Sequence, residues 1–121
     1  MIKSIHALLF AISLLLISCD SEVGEDGVVQ NAETGERLEG VAVEMRSSEQ
    51  GSKMDTTDAN GYFHARKTFS CGIVSCNTDF SIRFTKEGFQ PLTIGDDYWE
   101  DAEYVNQSRK DTMIVKLVRA L

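Results

Sequence analysis

Proline and tryptophan each occur once in this 121-residue chain, and histidine only twice. With imidazole supplied by His6 and His64 alone, a catalytic or metal centre built on several histidines is excluded. Cysteines number three, Cys19, Cys71 and Cys76, too few to fill a four-thiolate zinc site. No basic run occurs, and the net charge of −7 repels phosphate backbones, so nucleic acid is not an expected partner. Nor does any apolar run reach the roughly 20 residues that a membrane-spanning helix needs. Amphipathic helical periodicity, internal repeats and low-complexity segments are all missing, which leaves strands and turns to build the fold.

The longest apolar run, Ile5 to Ile17, follows Lys3 and ends at Ser18-Cys19. A positive charge, a short apolar stretch and a small residue are the parts of a signal peptide, not of a structural helix. Leu16-Ile17-Ser18-Cys19 resembles the lipobox of bacterial lipoproteins. The resemblance implies cleavage before Cys19, a diacylglycerol on its thiol and an acyl chain such as palmitate on its new amine. Residues 1–18 are thus expected as leader and 19–26 as a lipidated tether, since Asp20, Glu22, Glu25 and Asp26 make that stretch acidic and aperiodic. Lys3 is the leader's one charged residue, so its removal leaves the remainder one unit more acidic. Residues 27–121 form a single domain of ordinary size.

Within it the pattern has a period of two. Val41, Val43 and Met45 alternate with Ala42, Glu44 and Arg46; Phe80, Ile82 and Phe84 with Ser81, Arg83 and Thr85; Met113, Val115 and Leu117 with Ile114, Lys116 and Val118. Each run reads as a strand with one buried face. Turns are expected at Glu33-Thr34-Gly35-Glu36, Asp58-Ala59-Asn60-Gly61 and Lys86-Glu87-Gly88, and a strand from Tyr62 to Thr68. Pro91 removes a ladder donor and marks an edge strand. These spacings predict an all-β fold, an antiparallel sandwich of about seven strands.

The order Gly27-Val28-Val29, Thr34-Gly35-Glu36-Arg37-Leu38-Glu39-Gly40-Val41-Ala42-Val43, Thr57-Asp58-Ala59-Asn60-Gly61-Tyr62-Phe63 and Phe84-Thr85-Lys86-Glu87-Gly88-Phe89 resembles the carboxypeptidase regulatory-like domain. That resemblance implies a transthyretin-like β-sandwich. Its motif consists of turn and core residues, so it implies a fold without implying an activity. The chain departs from it at the cysteine loop and in the stretch from Gly95 to Arg109.

Cys71 and Cys76 stand close together in a chain expected to be exported, so a local disulfide is predicted. The second departure holds Asp96, Asp97, Tyr98, Trp99, Glu100, Asp101, Glu103 and Tyr104: five carboxylates and three aromatics without a base. Three readings stand for it: a solvated loop whose aromatics cover the core, a calcium site, or a contact for a ligand or partner through Tyr98, Trp99 and Tyr104. Asp58-Ala59-Asn60-Gly61 also has a calcium-loop flavour, but it lacks the preceding carboxylate and the downstream glutamate and reads as a turn.

Enzymes of related architecture set a test of residue supply. Transthyretin-like hydrolases use several histidines, and intradiol dioxygenases hold iron through two histidines and two tyrosines. Neither set is available when His64 is the one histidine beyond the leader. The expectation is therefore a lipid-anchored, non-catalytic binding or assembly module of the envelope, with no catalytic residue and no cofactor other than calcium. Its partners would be the membrane and an envelope protein or glycan, and its place the outer membrane, displayed at the surface. A structural accessory domain without a specific ligand is the alternative, and a hydrolase stands behind both.

Overall fold

The chain is described from a computed structural model covering residues 20–71, 76–95, 105–108 and 112–121. Ten strands occur among them: β1 (Asp20–Val23), β2 (Asp26–Asn31), β3 (Ala42–Ser47), β4 (Ser52–Thr56), β5 (Tyr62–His64), β6 (Lys67–Ser70), β7 (Phe80–Thr85), β8 (Leu92–Gly95), β9 (Val105–Ser108) and β10 (Thr112–Leu117). One sheet has the order β5-β2-β10-β9 and the other β4-β3-β7-β8, with β1 and β6 forming a separate two-stranded ribbon. The protein is an all-β sandwich.

Alternation builds the core as expected. Val43, Met45, Ile82, Phe84 and Ile94 point inward from one sheet, and Val29, Phe63, Met113, Val115 and Leu117 from the other, all essentially inaccessible to solvent. Phe63 and Phe84 meet edge to face, with ring centroids 5.2 Å apart at 73°, and so join the sheets in the arrangement aromatic rings prefer. Thr57 is the buried polar side chain that closes the turn into β3. Its hydroxyl donates to the Leu38 carbonyl at 2.6 Å and accepts from the Val41 amide at 2.8 Å.

Several details depart from the sequence reading. The strand expected from Tyr62 to Thr68 is broken at Ala65-Arg66 into β5 and β6. Opposite the break, Gly24 takes φ +83°, and a Cβ there would lie 1.9 Å from the Ala65 carbonyl oxygen. One close backbone approach therefore bends both strands together. The pairing of β2 with β10 is parallel, among otherwise antiparallel ladders. Pro91 lies just before β8, which is an edge strand as expected.

Residues 20–23, expected in the tether, are strand. Asp20, Ser21, Glu22 and Val23 pair with Ser70, Phe69, Thr68 and Lys67, and Val23 is buried in the core. A single well-placed valine and a full set of ladder bonds order a segment whose composition alone looks unstructured.

Candidate functional site

Gly24 carries β1 into β2, and Ala65-Arg66 carries β5 into β6, so the two pairs form one long bent ribbon. At one end Asp20 faces Ser70, next to Cys71. At the other, the Val29 amide bonds the Gly61 carbonyl and the Asn31 amide bonds the Glu36 carbonyl. That opposite end gathers the turns around Gly35, Gly61 and Gly88.

Arg66 sits at the bend and organises the acidic residues around it. Its guanidinium lies 3.0 Å from Glu25 and 3.8 Å from Glu22, and its amide donates to the Asp26 carboxylate at 3.2 Å. Burial works against the charged form of Arg66, while the hydrogen bond and charge of Glu25, with Glu22 and Asp26, outweigh it and raise the pKa. The guanidinium stays protonated at any pH the fold meets. These glutamates, read from the sequence as solvated linker, are thus part of a charge cluster that ties β1 to the β5–β6 junction. The signal that could have found it is a base at the midpoint of an expected strand.

Beyond β6, Cys71 and Cys76 form the expected disulfide, with Cα atoms 5.8 Å apart. The neighbouring turn is fastened to the same end: the Asn77 amide reaches Glu49, the Ser48 amide the Asp79 carbonyl, and Lys67 Nζ the Gln50 carbonyl. Cys19 and the acidic aromatic stretch 96–104, with Asp96, Asp97, Tyr98, Trp99, Glu100, Asp101 and Tyr104, lie outside the described residues. No structural finding bears on their expected roles.

His64 is exposed, with Nδ1 3.6 Å from Asp26 and its amide bonded to Asp55 at 2.7 Å. The Asp58 carboxylate accepts from the amides of Asn60 and Tyr62, which makes that segment the predicted turn. At the turn-bearing end an open hollow of about 580 Å³ is lined by Arg37, Lys86, Arg119, Glu36, Glu39 and Phe89, among others. Two of its bases already serve the fold: Arg37 stacks over Tyr62 and bonds the Asn60 carbonyl, and Lys86 bonds the Glu39 carbonyl.

No protein family and no curated protein sequence matches the chain significantly. Among solved structures, it is similar to a variant of catechol 1,2-dioxygenase from Acinetobacter radioresistens, at 13% identity and a TM-score of 0.51, covering 85% of this chain and 53% of that one. It is also similar to 3-chlorocatechol 1,2-dioxygenase from Rhodococcus opacus, at 14% identity and a TM-score of 0.49, covering 84% and 61%. The chain spans about half to three-fifths of the length of these two proteins. At such identity the likeness concerns the fold.

Catechol 1,2-dioxygenase, at a TM-score of 0.51, corrects the expectation of a non-catalytic module or spacer, and with it the expectation that neither enzyme nor cofactor is involved. That neighbour, which shares the fold, is an enzyme. Turn and core residues cannot tell a catalytic sandwich from a non-catalytic one, because function resides in sites grafted onto the fold. The iron centre of intradiol dioxygenases is a separate question, decided by donors. His64 is one imidazole where two are required, and it stands against Asp26 on the outer side of β5. No group of three or more histidine, cysteine or acidic side chains able to hold a metal occurs among the described residues. The donors among the described residues do not fit that centre, and no step through iron follows.

Proposed function

We propose that this chain is a bacterial lipoprotein: an extracytoplasmic sandwich of the carboxypeptidase regulatory-like type, attached to the envelope membrane through acylated Cys19. The observation that carries the proposal is the leader itself, Lys3, Ile5 to Ile17 and then Leu16-Ile17-Ser18-Cys19. It is supported by β1, which begins at Asp20, the residue after the cysteine in sequence. The Cys71–Cys76 disulfide suits an oxidising compartment.

Several acyl chains hold a protein to a bilayer where one gives marginal binding. The proposed address is the outer membrane with outward display, tested by protease shaving of intact cells: removal supports it, full protection contradicts it. The anchor is tested by growing cells with labelled palmitate. Wild type should carry label and fractionate with membrane at high salt, and Cys19→Ala should do neither. A Cys19→Ala protein that stays in the membrane fraction contradicts the proposal.

A further inference from the structure

Resting on the anchor reading, we infer that the disulfide-bearing end of the β1–β6 ribbon is the surface this domain lays against the lipid headgroups. Chain connectivity and register carry the inference. Asp20 is the first residue of β1 and pairs with Ser70, the last of β6, so no free linker separates Cys19 from the fold. With adjacent Cα atoms about 3.8 Å apart and paired Cα atoms about 5 Å apart, Asp20, the residue bonded to Cys19, lies within about 9 Å of Cys71. A headgroup layer is roughly 5–7 Å thick, so a diacylated Cys19 draws the disulfide to the membrane surface.

The opposite end is remote. From Asp20 to Asn31 the ribbon extends up to about 36 Å at 3.3 Å per residue, and the turns at Gly35 and Gly61 with their hollow lie at that far end. Charge permits the contact as well. Glu22 and Glu25 face the Arg66 guanidinium and Asp26 its backbone amide, so part of this acidic charge is neutralised within the protein, at the bend. The β1–β6 ribbon is tied to the sandwich by Val23 and Phe69 against the core and by Lys53 and Lys67, which donate to the Arg66 and Gln50 carbonyls, so its placement orients the whole domain, with the hollow turned away from the bilayer.

The test uses the full lipoprotein in phosphatidylethanolamine–phosphatidylglycerol vesicles. Thr68→Cys and Ala59→Cys each supply one free thiol once Cys19 is acylated and Cys71–Cys76 is closed. Both sites are exposed, one on β6 and the other in the far turn. A fluorophore on Thr68→Cys should be quenched by headgroup-labelled lipid at least threefold more strongly than one on Ala59→Cys. Ten Gly/Ser residues inserted between Cys19 and Asp20 should bring the ratio towards one. A ratio near or below one without the insert overturns the inference, as does a ratio that the insert leaves unchanged. Intact mass is read on the same samples: a chain without acyl mass refutes the anchor itself, whereas an acylated chain with equal quenching refutes the orientation alone.

Discussion

Ser70 stands directly across from Asp20, so the strand that follows Cys19 in the sequence is bonded to the strand that leads into the disulfide. Two segments far apart in the sequence, at Asp20 and at Cys71, are thereby brought to one end of the ribbon. The bend that lets this ribbon leave the main sheet depends on Gly24, and its charge balance on Arg66. Each of these relationships yields an expected outcome.

Gly24→Ala should destabilise the domain by about 1–3 kcal/mol, since it adds positive-φ strain to a Cβ aimed at the Ala65 carbonyl oxygen. Urea unfolding measures the loss. Gly35→Ala, at a positive φ with no atom within 4 Å of the added Cβ, should cost less. Equal losses would show that the close approach at Gly24 is unimportant.

Arg66→Ala should cost about 1–2 kcal/mol, the range of a partly buried charge-assisted hydrogen bond and its neighbouring ion pair. Hydrogen exchange should show the loss concentrated in β1 and β6. A variant of wild-type stability would mean that the cluster contributes nothing net.

Thr57→Val should cost about 1–3 kcal/mol, because it strands the Val41 amide and the Leu38 carbonyl without partners in the core. Thr57→Ser keeps the hydroxyl and should recover most of that loss. If serine were as damaging as valine, the methyl packing and not the hydrogen bonds would hold the turn.

Mass spectrometry of the non-reduced protein should find Cys71 and Cys76 blocked in one intramolecular loop. Cys71→Ser with Cys76→Ser should lower stability by about 2 kcal/mol, the chain-entropy value for so short a loop. Free thiols in the exported protein would contradict the assignment.

The sandwich was legible where burial imposes a period of two, as in Val41-Val43-Met45 and Met113-Val115-Leu117, and where glycine marks a turn, as at Gly35, Gly61 and Gly88. The β1 strand was not. Its one apolar core contact is Val23, and its glutamates look solvated until Arg66, some forty residues on, is brought beside them. The parallel pairing of β2 with β10 was hidden for a related reason: contact between the first and last parts of a fold is set by topology, which alternation within either strand does not encode. The disulfide could be read from spacing and compartment. Catalytic capacity could not be decided from turn and core residues, and the likeness in fold to a catechol 1,2-dioxygenase corrected the attempt to exclude it.

The central claim, that the fold hangs from an acylated Cys19 with no intervening tether, is tested most directly by the intact mass of the protein extracted from membranes, with fragmentation of its N-terminus. The account predicts a chain beginning at Cys19, carrying a diacylglyceryl group on the thiol and an acyl chain on the amine, with Asp20 as the next residue. A chain that retains Ser18, or that begins at an unmodified residue near Cys19, would contradict it.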